Sequence, residues 1–212
     1  MCANFEPAPK ADFRLHFDAP EPGFGYAEVY PGGTAPLIIA SERGRMTVPA
    51  IFGLLPSFAK DMGFARRTFN ARAETVAEKP SYRQAWARHQ FGIAPVQAFY
   101  ESCWETGKAV RWRIQRQDGE PFGLACIWSL WQQERVARYS LSLLTVNADG
   151  HPLMTRFHRP GKEKRSVVVV SPDKLEGWLT GKTDTRVQLR PFDARAFTAE
   201  VAAVPSFRGP CR

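Results

Sequence analysis

Four short groups of residues in this chain of 212 carry side chains suited to covalent chemistry. The first is Cys2. Initiator methionine is commonly removed before a small residue, and the chain then begins with cysteine. Such a residue holds an α-amine and a thiol on adjacent carbons. The amine titrates near ~7.7, so much of it is neutral at physiological pH, and the sulfur is a strong nucleophile. Together they attack an aldehyde: the amine forms an imine and the sulfur closes a thiazolidine ring. The same pair suits an N-terminal-nucleophile hydrolase, and an inert cysteine on a frayed terminus has the same sequence. The second group is Phe69-Asn70-Ala71-Arg72-Ala73-Glu74-Thr75. Asn70 offers an amide to a carbonyl or sugar oxygen and Arg72 a guanidinium to a phosphate; a helix-start turn with a surface Arg–Glu pair fits the spacing as well. The third is Phe99-Tyr100-Glu101-Ser102. A carboxylate among aromatics, if buried, gains a raised pKa and general acid–base capacity; a strand-edge Glu facing water is the alternative, and Glu105 competes for the role. The fourth is Phe157-His158-Arg159-Pro160, followed by Lys162, Lys164 and Arg165. Histidine moves protons near neutral pH, and the cations around His158 favour an anion nearby. His16, His89 and His151 complete the set.

Something must hold these groups together. Proline and glycine, 17 and 16 in number, are spread along the chain and predict many short elements joined by turns. Residues 18–33 are rich in both and read as loop around a short extended piece. Thr34–Ala40 reads as a strand and Thr47–Leu55 as an irregular one. Pro80–His89 reads as a short helix with proline at its start. Beyond it the chain turns strand-rich: Pro95–Trp104, Val110–Gln115, Leu124–Trp131 and Tyr139–Val146 carry aromatic and β-branched residues. Asp118-Gly119 marks a turn. Val167–Val170 reads as a buried strand, and Ser171-Pro172-Asp173 as the start of a helix reaching about Leu179. The balance predicts an α+β fold with a curved, mostly antiparallel sheet or barrel and short peripheral helices.

Composition narrows the function. The net charge is +8 and the pI about 9.6, which favours an anionic partner, nucleic acid before acidic membrane. No run approaches the ~20 apolar residues of a membrane span, and the N-terminus lacks the basic and apolar regions of a signal peptide. A cytoplasmic protein is expected. Its four cysteines, Cys2, Cys103, Cys126 and Cys211, form no CxxC pair, so free thiols and no metal or cofactor are expected.

In order and spacing, these residues resemble the SRAP family (SOS-response-associated peptidase, or abasic-site processing proteins). The matching motifs are Met1-Cys2-x-x-Phe5, Tyr30-Pro31-Gly32-Gly33-Thr34 and Phe52-Gly53-Leu54-Leu55-Pro56-Ser57-Phe58. They continue with Asn70-Ala71-Arg72-Ala73-Glu74-Thr75, Pro95-Val96-Gln97-Ala98-Phe99-Tyr100-Glu101, Asp118-Gly119-Glu120-Pro121 and His158. They run from residue 2 to about 172 of one SRAP-like domain over 1–212, and residues 192–212 match weakly. The resemblance implies a monomer that binds single-stranded DNA containing an abasic site during the DNA damage (SOS) response, close to the nucleoid. It implies a thiazolidine crosslink from the N-terminal cysteine to the ring-opened sugar, with a thiol (auto)peptidase activity, a hydrolase or lyase, also ascribed to the family. An N-terminal-cysteine peptidase acting on peptide bonds is the competing function. Carried over by position, Cys2 is the nucleophile, Asn70 orients it and the sugar, Glu101 shuttles protons, and His158 assists protonation of the sugar oxygen. Arg72 and Arg159 hold the DNA backbone, and Phe52 and Phe58 replace tryptophans that stack on bases. Asn4 stands where the family has a phosphate-contacting arginine, so Asn4→Arg is expected to tighten binding. Ser102 replaces a tryptophan, and Gly161–Lys164 are extra residues. Arg43, Arg45, Arg66, Arg67, Lys162, Lys164 and Arg165 are expected to extend the basic groove.

Overall fold

A computed structural model describes residues 2–182 and 189–203. The strands are β1 (Asn4–Pro7), β2 (Thr34–Ser41), β3 (Gly44–Phe52), β4 (Asn70–Arg72), β5 (Phe91–Cys103) and β6 (Val110–Arg116). They continue with β7 (Phe122–Gln133), β8 (Val136–Asn147), β9 (Arg165–Val167), β10 (Val169–Val170) and β11 (Phe197–Val201). Three short helices, α1 (Asp12–Phe17), α2 (Arg83–Ala87) and α3 (Leu175–Thr180), lie outside them.

Five strands close on themselves. β2 pairs with β3, β3 runs parallel to β8, β8 pairs with β7, β7 with β5, and β5 returns to β2 through Ile38↔Ile93 and Ile39↔Gly92. Closure leaves these five strands without an open edge. The parallel β3–β8 and β4–β8 pairs interrupt an otherwise antiparallel sheet. Period-2 alternation explains why β7 and β8 read as continuous apolar runs. Leu124, Cys126, Leu141 and Leu143 enter one core, while Ala125, Ile127, Leu144 and Val146 enter a second. The second core is covered by Phe13 and Phe17 of α1, Ala85 of α2, and Leu175, Trp178 and Leu179 of α3.

β5 is the longest strand and outlasts its barrel partners. Its first half pairs with β2 and β7. Its second half, Val96–Cys103, exchanges them for β1 (Asn4↔Tyr100, Phe5↔Phe99) and β6 (Glu101↔Trp112). The first core lies under this junction. Phe52 at the end of β3 packs edge-on against Phe5 at 5.1 Å and Phe69 at 5.7 Å, so one ring wedges β1 against the residue before β4. Gly53 follows at φ 125°, where a Cβ would sit 2.0 Å from the Ala65 carbonyl oxygen. Only glycine allows β3 to end this close to the turn at Met62–Arg67.

The strand expectations hold with changed boundaries: Thr47–Leu55 shifts to Gly44–Phe52 and Pro95–Trp104 to Phe91–Cys103, while the helix expected over Pro80–His89 shortens to Arg83–Ala87. The sequence-read strand Val167–Val170 divides at Val168 into β9, which pairs with β8, and β10, which pairs with β7. The helix expected after Ser171 forms as a 3-10 turn at Pro172–Lys174 leading into α3, with no capping bond from the Ser171 side chain. α1, β1, β4 and β11 are elements that sequence patterning missed.

Candidate active site

The second half of β5, the segment before β1, the start of β4 and a turn at residue 158 bring four side chains together. Cys2 is 1% exposed, and its S–H lies 3.4 Å from the Asn4 carbonyl oxygen. Burial, and next the Glu101 carboxylate, push the thiol well above the usual range. Asn70 donates from Nδ2 to the Cys2 carbonyl oxygen at 2.7 Å. The amide therefore grips the main chain of Cys2. β4 holds Asn70 through its parallel pairing with Leu143, and Tyr82 donates to the Asn70 carbonyl at 3.1 Å.

Glu101 is 8% exposed, so the solvated-edge alternative is excluded. Burial raises its pKa to about 7, which gives both protonation states near neutral pH. His158 Nε2 lies 3.6 Å from Glu101 Oε2. Burial lowers the imidazole to about 4, so it is neutral where the carboxyl titrates. A neutral imidazole is a hydrogen-bonding group and a poor proton source, whereas the Glu101 carboxyl can hold or give a proton near pH 7. Among the described residues, buried Asn70 Oδ1 and both ring nitrogens of His158 lack a hydrogen-bond partner. Buried polar atoms are normally satisfied; those of Asn70, whose amide also holds Cys2, and of His158, beside Glu101, suit a small oxygen-rich group.

The expected DNA-contacting residues divide. Arg72, Arg159 and Phe58 are exposed; Phe58 stacks edge-on against Phe64, whose ring also carries the Arg67 guanidinium at 5.0 Å. Arg72 reaches Glu163 at 2.9 Å, and Arg159 lies 5.8 Å over the Trp104 ring. Phe52 is fully buried, so it packs the wedge between Phe5 and Phe69 and does not stack on bases. Asn4 is buried too, and its Nδ2 donates to Glu28, which also pairs with Arg111. An arginine there would meet that carboxylate first, so the expected gain from Asn4→Arg does not follow. Arg45, near the start of β3, donates to the Phe17 carbonyl at 2.6 Å and pairs with Glu176, and Arg43 lies in the turn between β2 and β3, at the opposite end of β3 from Phe52. Neither belongs to a groove beside Cys2. Lys164 spends its ammonium on backbone carbonyls.

Arg165 is the largest departure from the sequence reading. It is 2% exposed and forms two bonds to Glu74 at 2.8–2.9 Å, one to Glu163 and one to the Thr145 carbonyl. The guanidinium ties the loop after Asn70 to the loop after His158. Sequence spacing gave no sign of this, because a cation in a basic run reads as solvent-facing. Glu74→Ala removes the bidentate partner and leaves Arg165 buried with less compensation. Urea unfolding is expected to show a loss of about 2 kcal/mol; a loss below about 0.5 kcal/mol would mean that Glu163 and Thr145 suffice.

Cys2, Cys103 and Cys126 are free, buried thiols; Cys211, like Met1, lies outside the described residues. Among the described residues no group of three His, Cys, Asp or Glu is placed to hold a metal, and no helix is long and apolar enough to cross a membrane.

Known proteins match this architecture. A crystal structure of a Bordetella bronchiseptica protein superposes with a TM-score of 0.89 at 32% identity, covering 96% of this chain and 100% of its own. A Bacteroides thetaiotaomicron protein at 21% identity shares the fold, with a TM-score of 0.79. In sequence, the chain is 30% identical over 151 residues to the Bacillus subtilis abasic site processing protein YobE, covering 68% of this chain and 64% of YobE. It is equally similar to the abasic site processing protein YoqW of Bacillus phage SPbeta, covering 63% of that protein. The matched stretch thus spans just under two thirds of these relatives. The profile of the SOS response associated peptidase (SRAP) family matches residues 1–205, and the chain belongs to that family.

Proposed function

We propose that this protein processes abasic sites in single-stranded DNA by forming a covalent thiazolidine with the ring-opened sugar through Cys2. The observation that carries the reading is the convergence on Cys2 of a buried carboxyl titrating near 7 and unsatisfied polar atoms of Asn70 and His158. The relatives' abasic-site names and the basic charge of the chain support it.

The chemistry needs a free α-amine on Cys2, so residue 1 must be absent. The amine adds to the sugar aldehyde, and a proton from Glu101 lets the carbinolamine oxygen leave as water, giving an iminium that returns its N–H proton to the Glu101 carboxylate and becomes the imine. The thiol then adds to the imine carbon: the C–S bond forms, the S–H proton passes to nitrogen through the Glu101 carboxyl, and the ring closes. Asn70 fixes the Cys2 main chain through its 2.7 Å bond. The neutral imidazole of His158 bonds the sugar oxygen beside Glu101. A raised thiol pKa does not obstruct this order, because the sulfur attacks an electrophilic imine and surrenders its proton in the same step. It does count against a cysteine peptidase, which relies on a thiolate paired with histidine; the Cys2 S–H bonds to a backbone carbonyl instead.

The deciding experiment is an intact mass after incubation with an abasic single-stranded oligonucleotide. A gain of the oligonucleotide mass less one water supports the reading; no covalent gain removes it. Binding is also expected to weaken with salt. Each neutralised phosphate on a single strand contributes about −0.7 to the log–log slope. Arg72, Arg159, Arg66, Arg67 and Lys162 are exposed cations; engaging three to five phosphates gives a slope between about −2 and −3.5. A flat titration would take nucleic acid out of the account.

A further inference from the structure

We propose that Lys164 is a positioning residue for His158: its ammonium, bonded to the carbonyls of residues 157 and 158, locks the backbone that aims the imidazole at Glu101. This rests on the reading of His158 as part of the abasic-site chemistry.

His158 adopts φ 68°, in the left-handed region that a non-glycine residue keeps only where its surroundings over-determine it. Those surroundings are visible on both sides of the residue. Its N–H donates to the Ser102 carbonyl at 3.1 Å, and Phe157 bridges to Cys103. The turn is therefore stitched to the two residues that follow Glu101 on β5. On the carbonyl side, Lys164 Nζ donates to Phe157 O at 2.7 Å and to His158 O at 3.1 Å. Six residues later in sequence, the lysine closes the loop across its own mouth.

The lysine is itself fixed. Its N–H lies 3.3 Å from Asp149 Oδ1, and the next residue is the buried Arg165. An ammonium committed to two carbonyls is poorly disposed to bind phosphate, unlike exposed Lys162. It also acts electrostatically. Among the described residues, the charged groups that bear on His158 are Glu101 from β5 and Lys164 and Arg165 from the loop and β9. The two cations reinforce burial in keeping the imidazole neutral. Lys164 thus sets where the ring stands and adds to the burial that keeps it uncharged.

The test compares Lys164→Met, Lys164→Arg, His158→Ala and the His158→Ala/Lys164→Met double variant. Single-turnover crosslinking is measured at saturating abasic single-stranded oligonucleotide, and non-covalent binding with an oligonucleotide carrying a tetrahydrofuran abasic analogue that cannot ring-open. Lys164→Met should slow crosslinking by roughly ten- to a hundredfold, the scale of a misplaced reacting group. The salt slope of binding should stay unchanged, and Lys164→Arg should recover most of the rate. Added to His158→Ala, the Lys164→Met change should do nothing further. By NMR, the His158 imidazole should titrate at higher pH in Lys164→Met. Wild-type rate with an unmoved titration overturns the proposal. So does an affinity loss with a salt slope shallower by about 0.7, which marks a phosphate contact, or an equal loss in the His158→Ala background. A His158→Ala variant at full rate, together with a moved titration in Lys164→Met, rejects the role of His158 in the reaction and leaves the lysine clamp standing.

Discussion

Cys2→Ala is expected to abolish the stable adduct with abasic single-stranded DNA altogether. A thiazolidine needs the amine and the sulfur on one residue, and alanine keeps only the amine. That amine still forms an imine, which hydrolyses back, so a transient species trapped only by borohydride is the expected remnant. Cys2→Ser should weaken or lose the stable product, because oxygen closes the ring less favourably than sulfur. A retained N-terminal extension should be as damaging as Cys2→Ala, since the α-amine is then an amide. Cys126→Ala is the control. Its thiol is fully buried and pushed up by burial just as Cys2 is, without the Glu101 carboxylate that also bears on Cys2, and the adduct should form normally. A protein with a blocked terminus that still yields the heat-stable adduct would refute the mechanism.

The second large effect is expected at Glu101. Glu101→Gln keeps the shape and removes proton transfer, so crosslinking should slow by roughly 10²- to 10⁴-fold. The pH profile adds a sign. Burial raises the carboxyl to about 7, so the protonated form needed to expel water is present below that pH and is lost as pH rises through it. The alkaline limb near 7 should vanish in Glu101→Gln, while any limb from the Cys2 amine remains. Glu105, the rival read from sequence, is half exposed and bonded to Arg156 at 2.9 Å. Glu105→Gln should leave the rate within about twofold, as surface pairs generally do. If Glu105→Gln does the damage, the assignment of the working carboxyl falls.

How much of this was legible in the sequence depended on the kind of interaction. The barrel strands were readable because β7 and β8 are apolar on both faces and bounded by turns. The FYE segment was readable as strand, but whether Glu101 faced water or the core was not. That depended on β1 pairing across Asn4↔Tyr100 and Phe5↔Phe99, and four residues near a terminus carry no periodicity. β4 was missed for the same reason: three residues show no pattern, and Asn70–Arg72 is a strand only because β8 runs beside it. Phe52 looked like a base-stacking ring because the motif places aromatics there; tertiary packing turned it inward. Arg165 and Lys164 were read as groove cations because charge is visible in a sequence and its burial is not. Both depend on partners, Glu74 and the carbonyls at 157 and 158, that only the folded loops bring within reach.

β5 has a consequence for how this protein tolerates mutation. One continuous strand closes the barrel at Ile93 and carries the proposed proton donor, Glu101. The barrel anchors the first half of that strand, and β1 and β6 flank the second, so Glu101 keeps its place as long as this continuous strand stays paired. His158 sits in a turn that is joined to the end of β5 at Ser102 and Cys103 and closed on its other side by two bonds from one lysine. The two halves of the proton-handling pair therefore answer to different selective pressures. Substitutions around Ala94 or Val96 will be counted first as losses of folded protein, and variants that fold will keep the carboxyl in place. Drift in the loop leaves abundance untouched and is registered only in turnover. Natural variation in activity among folded relatives should accordingly accumulate around residues 158–164 rather than along β5.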